Sequence, residues 1–345
     1  MKRGFFTRLA AAAAVMVAAG TQAGAAEAPA PGAAGKIKVG LVFDVGGLGD
    51  KSFNDSANAG LTRAIKELGV TGQYREPGEG SQRADHLRNF ARGDADLMIG
   101  VGFLFTDTIT QAATDFPKKK FACVDYSVGD PADLPPNLAA LTFREEEGSF
   151  LVGALAALKS KSGKIGFVGG VESPLIKKFE AGYTQGAKQA VPKIEVRVAY
   201  AGVTDKAFAN PTKGKELATS MYEQGVDIIF HASGSTGLGV FRAAEEKGAM
   251  AIGVDADQAK DAKPGVVLTS MLKNTDAAVF DTVRAAAEGR FKGGVTALGL
   301  KEGGVGYVYD DKNKALIGDD IRAKVEALKS KIIAGEIKVV ATVKK

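Results

Sequence analysis

The chain has 345 residues, of which 45% are hydrophobic, 25% are charged and 7% are aromatic, and it contains no Trp. This length predicts about two domains, and this composition is typical of a soluble globular protein rather than a disordered or membrane-spanning one. The net charge of +5 is too small and too dispersed to indicate nucleic-acid binding. One Cys (Cys123) and two His (His86 and His231) are too few for a disulfide framework or a zinc site, so we expect no metal and no cofactor.

The N-terminus has the pattern of a secretory leader. A positive segment, an apolar run and a small-residue cleavage site follow one another at Lys2, Arg3 and Arg8, at residues 9–19 and at residues 23–25. The apolar run is shorter than the roughly 20 residues that span a bilayer, which disfavours a membrane anchor. We therefore expect residues 1–25 to be a signal peptide cleaved near Ala25, residues 26–35 to be a linker, and the mature protein to be exported.

From residue 36 onward, short apolar runs rich in β-branched residues alternate with stretches of helical length. This alternation predicts βαβ units and parallel sheets. The expected strands lie at 36–43, around 74, and at 96–101, 120–125, 138–143, 164–168, 194–200, 226–232, 250–254, 266–270 and 305–309. The expected helices lie at 54–68, 81–91, 146–159, 175–190, 213–224, 239–247 and 275–290.

The alternation runs twice, which predicts an α/β fold of two doubly wound, Rossmann-like lobes. We expect the N-terminal lobe to comprise residues 36–142 and about 256–304, and the C-terminal lobe to comprise residues 143–255 and about 305–345. In such folds ligands bind beyond the carboxyl ends of the strands. The residues that directly follow strands are therefore the candidates for a binding site.

A glycine-rich turn, residues 44–54, follows the first expected strand. Its glycines permit a tight turn and a close approach of the backbone to a ligand, and Ser52 or Asn54 can cap the helix that follows. Phe53 can either staple this helix to the core or offer a flat face to a planar ligand, and the residues alone favour the staple. Asp44 likewise has two interpretations, a group that only caps the loop or a group that contacts a ligand.

Acidic residues follow two further expected strands. Asp125 can satisfy nearby backbone N–H groups or accept a hydrogen bond from a ring N–H of a ligand. Asp255 follows the strand after a glycine turn at residues 233–239, as in a dinucleotide-binding unit. The glycines there are spaced G-x-x-G-x-G rather than G-x-G-x-x-G, and the first strand of the chain does not carry them, so we do not favour a dinucleotide site.

Enzyme signatures are weak. The chain has no G-x-S-x-G elbow, and His231, within an apolar run, is interpreted as a core or hinge histidine rather than a general base. His86 lies on a polar helix face. A glycosidase with paired carboxylates is not excluded, but no pair of carboxylates stands out. We expect a protein that is not an enzyme.

Five segments, in order along the chain, closely resemble the basic membrane protein family, the PnrA-like substrate-binding proteins of ABC importers that include purine nucleoside receptors. They are residues 44–54, 143–153, 233–237, 252–255 and 268–273. The resemblance covers residues 36–345 and implies a type I periplasmic binding protein fold whose two lobes, joined by a hinge, close on a nucleoside. It also implies an ABC permease of the inner membrane as the partner, and we expect a monomer.

The resemblance assigns roles to eight residues of this sequence. It implies that the aromatic rings of Phe53 and Phe208 sandwich the purine and that the carboxylate of Asp125 faces the polar edge of the base. Asp44 and Asn54 match polar residues of the first turn, and Gly234 matches the point where the backbone of the second lobe approaches the ligand. Asp255 and Lys273 match the groups on the ribose, with Lys273 neutralising and orienting Asp255. A site with three Asp and one Lys disfavours phosphate, so the expected ligand is adenosine, guanosine or inosine rather than a nucleotide.

Two departures from the family accompany this resemblance. Its members are commonly lipoproteins, whereas no Cys follows the expected cleavage site, so we expect a protein that diffuses freely in the periplasm. Residues 201–211, which lead to Phe208, also look extended. The alternatives that remain open are a receptor for a sugar or another small polar ligand, and a nucleoside-processing enzyme such as a hydrolase or phosphorylase.

Overall fold

The computed structural model describes Met1, residues 37–78 and residues 82–342. The expected signal peptide, its cleavage site and the linker at 26–35 lie outside the described residues. The helices and strands described below all belong to one compact unit, residues 34–345. Within the described ranges no helix combines the length and the apolar character that crossing a bilayer requires.

Strands and helices alternate along most of this unit. The strands are β1 (Lys38–Val42), β2 (Thr71–Arg75), β3 (Leu97–Val101), β4 (Lys120–Val124), β5 (Leu138–Phe143), β6 (Lys164–Val171), β7 (Glu195–Gly202), β8 (Ile228–Ala232), β9 (Met250–Asp255), β10 (Val267–Lys273), β11 (Gly294–Leu298) and β12 (Val305–Tyr307). The helices are α1 (Phe53–Leu68), α2 (Arg83–Arg92), α3 (Thr106–Asp115), α4 (Glu145–Lys159), α5 (Pro174–Ala190), α6 (Pro211–Glu223), α7 (Gly237–Lys247), α8 (Thr275–Ala287), α9 (Lys314–Ile317) and α10 (Asp319–Ile333).

The strands form two six-stranded sheets of matching topology. The first has the order β11-β5-β4-β3-β1-β2 and the second the order β12-β10-β9-β8-β6-β7. All pairings are parallel except that of β12 with β10. Central strands β3 and β8 are buried along their whole length, which explains their continuous apolar sequences. The predicted α/β fold of two doubly wound lobes is confirmed.

The chain passes between the two sheets three times, and one of these crossings differs from our expectation. The first crossing is at Arg144, between β5 and α4, the second is at Asn274, between β10 and α8, and the third is the segment 299–304 between β11 and β12. We expected residues 256–304 to return as a whole to the first lobe. This is wrong for β10, which hydrogen-bonds to β9 in the second sheet.

The reason for the misassigned crossing is physical. The apolar run of β10 fills the open edge beside β9, and a sequence pattern does not show which sheet has an open edge. Beyond the second crossing, α8 packs on α1 and β11 pairs with β5. Strand β11 was not predicted because, as a half-exposed edge strand, it carries no continuous apolar run.

Candidate functional site

A small cavity of about 70 Å³, open to solvent, lies between the two lobes beyond the carboxyl ends of their strands. All eight residues singled out in the sequence line this one cavity: Asp44, Phe53, Asn54, Asp125, Phe208, Gly234, Asp255 and Lys273.

Two aromatic rings from opposite lobes reach the cavity. Phe53 is the first residue of α1, and Phe208 ends a short 3-10 turn between β7 and α6. Both are only partly buried, and both also pack against the hydrophobic core. For Phe53, the stapling contact and exposure of the ring to the cavity therefore occur together.

The Phe208 segment is fixed by the turn after β8. Thr236 Oγ1 donates to the carbonyl of Ala207 at 2.7 Å, and Ser235 Oγ donates to the carbonyl of Phe208 at 3.3 Å. Gly234 has a φ of 58°, and a Cβ atom there would press on the Phe208 carbonyl. A glycine at position 234 is thus required both by its left-handed backbone and by the close approach of the Phe208 segment.

The turn after β1 is organised by Asp50, a residue to which the sequence assigned no role. Its carboxylate accepts hydrogen bonds from the backbone N–H groups of Ser52 (2.9 Å), Asn54 (2.9 Å) and Asp55 (3.1 Å). The expectation that Ser52 or Asn54 caps α1 is therefore wrong, because Asp50 occupies these donors. Asn54 Oδ1 instead accepts from the backbone N–H of Asp44 at 2.9 Å, which closes the turn.

Asp44 is held by a neighbouring guanidinium. Its Oδ1 atom lies 3.1 Å from Nη2 of Arg83, which also lies 3.5 Å from Asp205 of the second lobe. Burial raises the pKa of Asp44 to about 6, even though Arg83 opposes this rise. Asp44 therefore titrates close to neutrality.

Asp125 and Asp255 occupy equivalent places in the two lobes, at the ends of β4 and β9. Both have a left-handed backbone, with φ values of 59° and 66°, which is uncommon for residues other than glycine. Such conformations persist where the surrounding structure holds them, and they concentrate at functional sites. Each sheet thus presents to the same cavity one aspartate whose backbone is strained.

Lys273 contacts different partners from those expected. Its ammonium lies 2.5 Å from Asp125 Oδ2 and 3.2 Å from Glu145 Oε1. We expected Lys273 to neutralise and orient Asp255: its charge does lower the pKa of Asp255, but the hydrogen bond to the Asp255 carboxylate comes from Ser52 Oγ. Burial lowers the pKa of Lys273, but Asp125 and Glu145 outweigh this effect and raise it.

The carboxylates around Lys273 also have raised pKa values. Burial raises the pKa of Asp255 to about 6, with Lys273 and Ser52 opposing the rise. Burial likewise raises the pKa of Asp125, against the attraction of Lys273. Asp125 Oδ1 is buried and has no hydrogen-bond partner among the described residues. Buried acceptors are normally paired, so this oxygen is an available hydrogen-bond acceptor at the cavity.

Several hydrogen bonds join the lobes around the cavity. Besides the Ser52–Asp255 and Lys273–Asp125 contacts, Gln258 Nε2 donates to the carbonyl of Lys51 at 2.9 Å. Gln258 Oε1 accepts from Val254 N at 2.8 Å and lies 3.1 Å from His231 Nε2. The lobes are therefore closed on one another in this structure.

His231 is a core residue of the second lobe. It is fully buried, and its burial lowers its pKa to about 4, against the hydrogen bond with Gln258. Its placement agrees with the interpretation as a core or hinge histidine. In the described ranges, no group of three or more His, Cys, Asp or Glu residues could hold a metal ion.

Two lobes of matching topology, with a cavity where the carboxyl ends of both sheets meet, define a solute-binding protein of the type I periplasmic binding protein fold. The crystal structure of an ABC transporter system solute-binding protein from Aeropyrum pernix is similar, with a TM-score of 0.80, 33% identity, and coverage of 89% of this chain and 94% of that chain.

Sequence comparison narrows this class to one family. The family described as ABC transporter substrate-binding protein PnrA-like matches residues 37–342. The chain is 39% identical over 322 residues to the CD4+ T-cell-stimulating antigen of Listeria monocytogenes, with 87% of each chain covered. It is 39% identical over 306 residues to basic membrane protein A of Borreliella burgdorferi, with 87% of this chain and 86% of that protein covered. The chain therefore belongs to the PnrA-like, or basic membrane protein, family of ABC transporter substrate-binding proteins.

Proposed function

We propose that this protein captures purine nucleosides between its two lobes and delivers them to an ABC permease of the inner membrane. The observation that carries the proposal is that Phe53 and Phe208, from opposite lobes, line the same cavity. Stacking of a base on an aromatic ring contributes about 1–3 kcal/mol and tolerates different bases. Two such rings favour a flat heterocycle over a free sugar.

The polar groups support a nucleoside with an N–H donor on its base. An ionised carboxylate accepts hydrogen bonds but cannot donate them. The unpaired Oδ1 atom of Asp125 therefore suits N1–H of inosine or guanosine, or the amino group of adenosine. On this proposal Asp255 and Lys273 bind the ribose hydroxyl groups, while Asp44 and Asn54 contribute from the first turn and Gly234 from the second lobe.

The charge of the cavity supports a nucleoside rather than a nucleotide. The cavity is lined by four acidic residues, Asp44, Asp50, Asp125 and Asp255. Among the described residues that line it, only Lys273 carries a positive charge. A phosphate would therefore meet a net negative environment. The bonds that join the lobes exist only in the closed form, so ligand binding and hinge closure stabilise one another.

We further propose that the protein acts in the periplasm as a monomer and catalyses no reaction. Support for export comes from the positive, apolar and small-residue segments at the start of the sequence, and from membership of a transporter family. The absence of a Cys after the expected cleavage site supports a form that carries no lipid. Support for a binding role comes from the solute-binding relatives and from the buried, low-pKa state of His231.

Titration calorimetry tests the ligand class. Adenosine, guanosine, inosine, ribose and ribose 5-phosphate are titrated separately into the purified protein. We expect saturable binding of at least one purine nucleoside and none of ribose or ribose 5-phosphate. Binding of a free sugar with no nucleoside binding would favour the sugar-receptor alternative. Release of hypoxanthine from inosine during incubation would favour a nucleoside-processing enzyme.

A further inference from the structure

The segment Arg144–Glu147, part of the family motif, contains the first crossing between the lobes and contacts residues at or next to the other two. The backbone N–H of Arg144 donates to the carbonyl of Leu298 at 3.0 Å, at the end of β11. Glu147 Oε2 accepts from Leu300 N at 2.8 Å, in the third crossing. Glu145 pairs with Lys273, at the end of β10 and next to the second crossing. None of the four residues of the segment Arg144–Glu147 lines the cavity.

Glu145 is a fully buried carboxylate between two ammonium groups. Its Oε1 atom lies 3.2 Å from Nζ of Lys273, and its Oε2 atom lies 3.1 Å from Nζ of Lys178. Lys178 also donates to the carbonyl of Phe143, the last residue of β5, at 3.0 Å. A buried carboxylate is costly unless it is paired, so these two ion pairs hold the Glu145 side chain in a fixed position.

The position of the Lys273 ammonium depends on its partners. A lysine ammonium has three N–H donors on a flexible stem, and neighbouring acceptors determine where it rests. One donor forms a hydrogen bond to Asp125, and the ammonium also forms an ion pair with Glu145 without a hydrogen bond to its Oε1 atom, so Lys273 keeps a donor for a ligand in the cavity. Without the charge of Glu145, the carboxylates of Asp125 and Asp255 would draw the ammonium away from this position.

We propose that Glu145 is a positioning residue for ligand binding, which acts through Lys273 by holding its ammonium, through their ion pair, where a remaining donor meets a ribose hydroxyl group. This inference rests on the proposed nucleoside function. It gives the segment at the first crossing a role that no cavity contact provides, since the same carboxylate that orients a ligand-binding side chain also lies next to the crossing at Arg144.

The test compares inosine with 2′,3′-dideoxyinosine, which lacks both hydroxyl groups that Lys273 and Asp255 would bind. The affinity ratio of the two ligands is measured by calorimetry for the wild type and for Glu145→Gln. Glutamine has the shape of glutamate and keeps an acceptor for Lys273, but it lacks the charge. We expect the preference for inosine to fall by about tenfold in Glu145→Gln, the effect of losing one hydrogen bond to a charged group.

Glu147→Gln is the matched control, because it makes the same chemical change two residues away, at a hinge contact that does not involve Lys273. We expect it to change the affinities for both ligands by the same factor and to leave the ratio unchanged. An unchanged ratio in Glu145→Gln, or an equal fall of the ratio in both variants, would overturn the positioning role.

A third variant separates charge from shape. Glu145→Asp retains the carboxylate on a shorter side chain, and we expect its preference for inosine to lie between those of the wild type and Glu145→Gln. If Glu145→Gln fails to fold, the aspartate variant decides alone, and a ratio equal to that of the wild type would reject the inference. A wild-type protein that binds no nucleoside would overturn the proposed function and this inference together, whereas the outcomes named for the variants overturn this inference alone.

Discussion

Replacement of Phe53 tests whether its ring binds a base or only staples α1 to the core. The ring lines the cavity, packs against the core, and lies 5.0 Å from the Lys273 ammonium. Two variants separate these contacts. Phe53→Leu keeps an apolar side chain for the staple but has no aromatic face, whereas Phe53→Ala removes both.

The expected magnitude follows from stacking. Loss of one stacking face costs about 1–3 kcal/mol, which corresponds to about a 5- to 150-fold weaker affinity for the nucleoside. Because Phe208 remains on the opposite lobe, we expect weak binding to persist in both variants. Phe53→Ala should additionally lower the free energy of unfolding, since it removes core contacts, while Phe53→Leu should change it by less than about 1.5 kcal/mol.

The assay is titration calorimetry with inosine, together with urea unfolding of each variant. Phe116→Ala serves as a control, because Phe116 packs on the first-lobe core at the end of α3 and does not line the cavity. A folded Phe53→Leu protein with wild-type affinity would refute stacking on this ring and leave only the staple.

Three further predictions concern charge and closure. Nucleoside affinity should rise between pH 5 and pH 7, because Asp255 has a pKa of about 6 and accepts strongly from ribose hydroxyl groups only when it is ionised. Calorimetry should show a smaller rise in affinity for Asp255→Asn than for the wild type. An equal rise in both proteins would contradict the role of Asp255. In the ligand-free protein the folded state binds this proton more tightly than the unfolded state, so Asp255 destabilises the fold as pH rises from about 4 to about 6. Urea unfolding should then show the free energy of unfolding of Asp255→Asn gaining about 2 kcal/mol on that of the wild type between pH 4 and pH 6, and no gain would contradict the raised pKa. Gln258→Glu replaces the amide that donates to the Lys51 carbonyl with a carboxylate oxygen, so X-ray scattering should show a larger radius of gyration for the ligand-free protein. The same carboxylate lies next to His231, so proton NMR should show a His231 pKa at least about one unit higher. An unchanged radius of gyration would contradict the closing role of Gln258.

The strand ends could be predicted from the sequence because two regularities meet there. Parallel buried strands give continuous apolar runs, and their carboxyl ends gather at one edge of each sheet. Asp44, Asp125 and Asp255 directly follow or end such runs, and all three line the cavity. The family resemblance added Phe208 and Gly234, whose proximity depends on a turn that apolar periodicity does not encode.

The contacts that could not be predicted join residues far apart in the chain. Lys273 is paired with Asp125 and Glu145 because β10 lies in the second sheet, and the sequence pattern had assigned that strand to the first lobe. Asp50 displaced Ser52 as the helix cap because the hydroxyl group of Ser52 crosses to Asp255. Both differences arise from tertiary packing, which overrides local preferences for capping and for lobe assignment.

A crystal structure of the protein grown with inosine tests the central claim most directly. The account predicts hypoxanthine between the rings of Phe53 and Phe208, with N1–H at Asp125 Oδ1 and the ribose hydroxyl groups at Asp255 and Lys273. An empty cleft at saturating inosine, or a base bound away from both rings, would contradict it.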